Sequence, residues 1–290
     1  MRYCKELQAA MNAEGIWSDG EVRAMSLLLL EEVAGLTTAD VLMERDEALS
    51  DDMKVRLRTM AERMSKGEPL QYVLGYQRFC GLKIGVAPGV LIPRPETEEL
   101  VMLIADEVQK RTNSSEEISI LDIGTGSGCI ALALKHLLGE KAHVVGWDIS
   151  DDALRIARAN AETLAMDVRF EQHDILASES YDEPFDIIVS NPPYICESEA
   201  KEMERNVIEF EPEKALFVKD EDPLLFYRTI AEKGCVLLRT GGQLFFEINR
   251  RFGEATKSLL ENKGYSNVEL RKDSFGNDRM MSASWGGNEE

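Results

Sequence analysis

Histidine and cysteine are scarce in this 290-residue chain, with three of the one and five of the other. The cysteines (Cys4, Cys80, Cys129, Cys196, Cys235) never stand in C-x-x-C spacing, which speaks against a thiolate metal site. Their odd number and wide scatter speak equally against a disulfide framework. His136, His143 and His173 do not pair at ligand spacing, so no metal is expected. Long apolar runs are lacking too: stretches such as SLLLL at 26–30 are far too short to span a bilayer. The opening MRYCKELQAAMNAEG has no secretory apolar region and reads as an amphipathic helix. A cytoplasmic protein with no membrane partner is expected.

Positive charge is also short. Thirty-three Lys and Arg face 53 Asp and Glu, a net charge of −20. Nucleic-acid binding draws much of its affinity from neutralising phosphates with basic side chains, so no direct nucleic-acid partner is expected. An acidic surface supports solubility and suits a basic protein partner. What the chain does have, 44% hydrophobic and 30% charged residues, is the composition of a globular protein with a sizeable core.

Three regions follow. Residues 1–75 read as a small helical bundle, with an S-x-x-E capping box at Ser18 and Glu21. Met53, Leu57, Met60 and Met64 form one helical face there, read as core. Residues 76–95, rich in Gly, Pro and β-formers, read as a hairpin-like connector. From 96 to 290 strands and helices alternate. ISILD, HVVGWD, VRFEQH, FDIIVS and QLFFEI are strands joined through helices, and NVELRKD and RMMSASW follow. That order predicts an α/β fold: a mostly parallel seven-stranded sheet with an antiparallel last strand, because only SFGND separates the final pair.

Two stretches carry chemistry. LDIGTGSG (121–128) places Gly124, Gly126 and Gly128 between a strand and a helix, where backbone can approach a ligand closely. The dinucleotide spacing G-x-G-x-x-G would require glycine at 129, which is Cys129. Asp122 beside the turn would repel a pyrophosphate but suits a ligand carrying ammonium and sulfonium charges, such as S-adenosylmethionine. Asp148, ending the next strand, can accept from both hydroxyls of a ribose. Its alternative role, charge at a helix start, is already covered by Ser150, Asp151 and Asp152. Asp174 after the third strand can accept from an adenine amine, with Ile175 packing on the base.

SNPPYI (190–195) ends the fourth strand. An amide nitrogen is a poor nucleophile, and hydrogen bonds taken from both its N–H groups fix its plane and favour charge build-up on nitrogen. The Asn191 side-chain oxygen and the Pro192 carbonyl are two such acceptors, stiffened by Pro193, and Tyr194 offers a flat face.

NPPY after the fourth strand, with G-x-G-x-G after the first, resembles class I methyltransferases of planar amino groups. Five segments, GEPLQYVLGYQRFCGLKIGVAPGVLIPRPETEELV, ILDIGTGSGCIALAL, SNPPYI, FEPEKALF and FGNDRMM, together resemble the bacterial peptide chain release factor glutamine methyltransferases. The resemblance spans nearly the whole chain and implies a Rossmann-like methyltransferase domain. It implies methyl transfer from S-adenosylmethionine to the glutamine of a Gly-Gly-Gln loop in release factors. The N-terminal bundle is then expected to be a recognition arm, and a monomer is the default where the partner must dock across two domains. Residue by residue, it places the cofactor on Gly124, Thr125, Gly126, Ser127, Gly128, Asp148, Asp174, Ile175 and Asn191. The substrate amide then meets Asn191, Pro192, Pro193 and Tyr194, with Asn191, Pro192 and Tyr194 catalytic. Some members of the family carry tryptophan where Ile175 stands. Arg94, Glu96 and Thr97 match its connector, and no role is assigned to them beyond fixing a domain hinge. The chain's own Gly241-Gly242-Gln243 is expected to be an ordinary turn between a helix and a strand. Ribosomal-protein glutamine methylation, nucleic-acid amine methylation and a non-catalytic cofactor-binding adaptor stand as the alternatives.

Overall fold

The computed structural model describes residues 2–111, 116–177 and 184–287. They form two compact units, one of Met1–Tyr76 with Glu204–Phe210 and the other of Gln77–Met203 with Glu211–Glu290.

The first unit contains α1 (Arg2–Met11), α2 (Asp19–Ala34), α3 (Thr38–Leu42), α4 (Asp51–Ser65) and α5 (Leu70–Leu74). Ser18 with Glu21 and Thr37 with Asp40 close capping boxes at the starts of α2 and α3. Each box satisfies N–H groups that a helix cannot bond internally, worth about 1 kcal/mol. The sulfur-rich face of α4 is core: Leu57 and Met64 are fully buried, with Met53 and Met60 packed beside them. Two polar contacts lock this core. The Trp17 indole donates to the Met64 carbonyl at 2.8 Å, and buried Asp46 accepts from the Cys4 amide at 2.9 Å.

A hairpin follows, β1 (Tyr76–Phe79) and β2 (Leu82–Gly85). Cys80 and Gly81 turn it with φ of 47° and 79°, the pair of positive values that a tight two-residue hairpin turn requires. Then come α6 (Pro95–Arg111), β3 (Ile118–Ile123), α7 (Cys129–Leu138), β4 (Ala142–Asp148), α8 (Asp151–Thr163), β5 (Arg169–Gln172) and β6 (Phe185–Ser190). Short elements succeed these: β7 (Ile195–Cys196), α9 (Arg205–Phe210, in the first unit), α10 (Glu213–Leu216) and β8 (Phe217–Val218). The chain ends with α11 (Leu225–Leu237), β9 (Leu238–Glu247), α12 (Gly253–Asn262), β10 (Tyr265–Lys272) and β11 (Asp278–Trp285).

Seven strands make one sheet in the order β10-β11-β9-β6-β3-β4-β5. β9, β6, β3, β4 and β5 run parallel, while β11 lies antiparallel between β9 and β10. This is the Rossmann-like sheet with an antiparallel last strand that the element order predicts. Strand alternation divides the core into two layers. Ile118, Ile120, Ile187, Val189 and Phe245 pack with α6, α7 and α8 on one face. Leu121, Ile123, Ile188, Leu244 and Phe246 pack with α11 and α12 on the other.

One expectation is corrected. Gly241-Gly242-Gln243 lies inside β9 and not between helix and strand. Phe185 pairs with Leu238 but Ile187 pairs with Gln243, so the extra residues of β9 bulge around Gly241 at φ 84°. Gln243 pairs with Ile187 on one side and Ser284 on the other, which commits its backbone to the sheet.

Phe170 on β5 fills a space that two glycines leave open. A Cβ at Gly146 would lie 2.6 Å from its Cδ1, and one at Gly128 would lie 2.9 Å from its Cζ. Gly146→Ala should therefore cost roughly 1–3 kcal/mol by overpacking. In a Phe170→Leu background the same substitution should cost clearly less. Denaturant unfolding of the four proteins in this cycle checks the coupling.

Candidate active site

Parallel strands end on one edge of their sheet, and ligands of open α/β sheets bind outside that edge. β3 delivers the glycine turn there, β4 Asp148, β5 the Asp174 loop, β6 Asn191 and β9 Glu247.

The glycine turn is held from below. The amides of Gly124 and Thr125 both donate to the Trp147 carbonyl, at 2.8 and 2.9 Å, and that of Gly126 donates to Asp148 Oδ2 at 2.9 Å. Gly124 and Gly126 have φ of 73° and 55°, and a Cβ on either would meet nothing within 4 Å. Their backbone thus faces open space, whereas Gly128 is required by packing. Ser127 is buried, and its carbonyl accepts from Asn160 Nδ2 at 2.9 Å.

Asp148, expected to hold a ribose, receives backbone amides here. Its Oδ1 accepts from the Ser150 amide at 2.9 Å, so it also braces the entry to α8. Each oxygen keeps a second lone pair for a hydroxyl. Burial raises its pKa. Asp174 Oδ1 accepts from the Leu176 amide at 2.8 Å, and the neighbouring His173 amide donates to the Asp148 carbonyl at 3.0 Å. Ile175 packs against the core cluster that contains Trp147. The ends of β4 and β5 are thereby drawn together.

Asp122 is wholly inaccessible. Its Oδ2 accepts from the Thr125 hydroxyl at 2.6 Å, while Oδ1 has no hydrogen-bond partner of ordinary geometry among the described residues, although the Ala131 amide pulls on the carboxyl. Burial above all, with a contribution from the Asp148 charge, pushes its pKa up to about 7. A buried carboxylate with an orphaned oxygen beside an open glycine cradle fits a cationic nucleoside ligand, and so fits S-adenosylmethionine.

At the end of β6, Ser190 Oγ donates to the Ile123 carbonyl at 2.7 Å, tying this corner to the glycine turn. Pro192 is buried and Pro193 half-buried. Asn191 Nδ2 donates to Thr97 Oγ1 at 3.3 Å, and Thr97 in turn donates to Glu247 Oε2 at 2.7 Å. The Tyr194 hydroxyl donates to Glu247 Oε1 at 2.9 Å and receives Arg279 Nη1 at 3.5 Å. Asn249 Nδ2 donates to the Tyr194 carbonyl at 3.0 Å, pinning the loop beyond the prolines. Burial raises the pKa of Glu247, against the stabilising pull of Thr97, Tyr194 and Arg279. Tyr194 is held well above its ordinary value by burial and the Glu247 charge.

Two of the connector residues that the sequence leaves without an assigned role find partners here. Arg94 pairs with Glu211 at 2.5 Å, and the Ile92 amide donates to the same carboxylate at 3.0 Å, all within the second unit. Thr97 belongs to the site itself. Glu247 and Arg279 escaped the sequence reading. Their signal was a lone acid closing the apolar run QLFFE, and an arginine inside FGNDRMM. Among the described residues no group of three or more His, Cys, Asp or Glu could hold a metal ion.

A family model described as a methyltransferase domain matches residues 114–224, and one described as the PrmC N-terminal domain matches residues 6–75. The human methyltransferase 10 domain containing protein superposes with a TM-score of 0.52 at 17% identity, covering 72% of this chain and 90% of that one. At that identity the likeness concerns the fold alone. A release factor glutamine methyltransferase of Bacteroides thetaiotaomicron is 47% identical over 93% of this chain and 95% of its own length. That of Flavobacterium psychrophilum is 43% identical over 93% and 94%. The chain belongs to the release factor glutamine methyltransferase family.

Asp122 gives the ligand-free protein a pH signature. Its folded pKa is raised above the unfolded value of ~3.9, so its stabilising contribution is full below that value and lost as pH rises through about 7. Wild type should melt at lower temperature at pH 8 than at pH 6, and Asp122→Asn should show a smaller drop. Thermal unfolding at the two pH values measures it.

Proposed function

We propose that this chain transfers a methyl group from S-adenosylmethionine to the side-chain amide nitrogen of the glutamine in the Gly-Gly-Gln loop of peptide chain release factors. The observation that carries the reading is the orientation of Asn191. With Nδ2 given to Thr97, Oδ1 is the atom left for a partner, and among the described residues it has no donor. An acceptor at that corner suits an incoming NH2 group. The family relatives named above support the choice of substrate.

When bound, S-adenosylmethionine would supply an electrophilic methyl group on its sulfonium sulfur, with a neutral thioether as the leaving group. Asn191 Oδ1 and the Pro192 carbonyl accept the two amide hydrogens, hold the plane and increase electron density on nitrogen as it attacks. Tyr194 stacks on the flat amide, with Pro193 stiffening the corner. No strong base is required, because the N-methylated amide is a strong acid that loses its extra proton to water after transfer. Asp148 binds the ribose, and Asp174 with Ile175 the adenine. The helical unit, residues 1–75, recognises the release factor, and one chain carries every residue assigned. A cytoplasmic address follows from the substrate. Among the described residues no helix is long and apolar enough to cross a membrane.

Labelled S-adenosylmethionine with full-length release factor should place label on the Gly-Gly-Gln glutamine, and none on a Gln-to-Ala version of that loop. Label appearing on ribosomal proteins or RNA instead would overturn the substrate. Asn191→Ala should lower kcat by about 10²-fold or more while cofactor affinity stays within a few-fold. Calorimetry finding cofactor binding abolished would refute that division of labour.

A further inference from the structure

We infer that Glu247 and Thr97 are positioning residues that set which way round the Asn191 side chain stands, and so decide whether its corner accepts or donates. The inference rests on the reading of Asn191 above and extends it to two residues that need not touch the substrate.

Hydrogen counting carries the argument. An ionised carboxylate only accepts. Glu247 is almost wholly buried at the end of β9 and receives Thr97 Oγ1 at 2.7 Å and the Tyr194 hydroxyl at 2.9 Å. Threonine has one hydroxyl hydrogen. Once that hydrogen goes to Glu247, Thr97 Oγ1 can only accept, and the only group of Asn191 that can satisfy it is the NH2. The observed bond from Asn191 Nδ2 to Thr97, at 3.3 Å, has that polarity. The carbonyl end of Asn191 is then the end left for an incoming N–H. Reverse the first bond and the chain reverses throughout: a group donating to Thr97 would turn its hydrogen toward Asn191, which would answer with Oδ1 and present NH2 outward. Two NH2 groups cannot pair.

The fold supplies the geometry. Ser190 pairs with Phe246 and Met280 with Glu247, so Asn191, Glu247 and Arg279 come to neighbouring strand ends. Alternation puts Glu247 on the same sheet face as Phe245, the face that α6 covers, and Thr97 lies in the first turn of α6. Arg279 Nη1 approaches the Tyr194 hydroxyl at 3.5 Å while its Nε faces Asp273 at 3.4 Å, placing positive charge beside the carboxylate. The same carboxylate that orients Asn191 through Thr97 holds the Tyr194 hydroxyl directly. One buried group thus registers both side chains of the corner.

The test uses the full-length chain as wild type, Glu247→Gln, Thr97→Val and Thr97→Ser. Glutamine keeps the shape of Glu247 but can donate to Thr97. Valine removes the relay, and serine keeps it. On release factor, Glu247→Gln and Thr97→Val should lose about 10²-fold or more in kcat, with cofactor affinity within a few-fold, and Thr97→Ser should retain kcat within several-fold. The Asn191 side-chain amide protons, followed by NMR in 15N-labelled protein, supply a readout that needs no substrate. They should exchange slowly in wild type and Thr97→Ser, and quickly in Thr97→Val. Wild-type kcat in Thr97→Val, or equal losses in the serine and valine variants, would overturn the inference. So would unchanged amide exchange in Thr97→Val. If wild type leaves the release factor unmethylated, the substrate reading falls while the NMR arm still decides the positioning role. If Glu247→Gln fails to fold, the valine and serine pair decides it.

Discussion

Everything at this site depends on five parallel strands ending together. A parallel sheet covered on both faces delivers each strand's carboxyl end to one edge. There the chain leaves regular structure and its side chains become available. The pairing of β3 with β4 on one side and β6 on the other places the glycine turn between Asp148 and Asn191. Extending the sheet through β9 adds Glu247 to the row. No single loop builds the site. It is a line of strand ends, and the register of the ladder sets their spacing.

That edge gathers negative charge in poor solvent. Asp122 and Glu247 are almost wholly buried, Asp148 is half-buried, and all three are raised in pKa chiefly by burial. Retaining unpaired carboxylates in such a place weakens the fold. Two of these acids handle this differently. Glu247 is met by two hydroxyl donors and a nearby guanidinium, as a group that orients others should be. Among the described residues Asp122 Oδ1 has no hydrogen-bond partner, and its charge is supported only by the Thr125 hydroxyl and the pull of the Ala131 amide.

Much of this architecture was legible in the chain. Alternation of short β-branched runs with amphipathic helices is a local pattern, so the parallel sheet and its antiparallel end could be read in advance. Glycines at 124, 126 and 128 announced a special backbone, and the open space beside the first two agrees with close ligand approach. The bulge at Gly241 was not legible, because a Gly-Gly pair reads equally well as a turn and only pairing with β6 and β11 shows that the strand has already begun. Thr97 was visible as part of a motif yet mute about its purpose. Its partners Asn191 and Glu247 lie 94 and 150 residues away.

By itself the sequence determined which residue types stand at strand ends: an amide, two prolines and an aromatic after FDIIVS, and the acids that close HVVGWD and QLFFE. It could do so because periodicity, turn chemistry and helix caps are local. Only the tertiary structure decided which of them meet. Whether Asn191 accepts or donates turns on one hydroxyl hydrogen of Thr97, whose direction is set by a carboxylate on another strand. Hydrogen-bond polarity is a property of contacts between distant segments, and no local pattern encodes it.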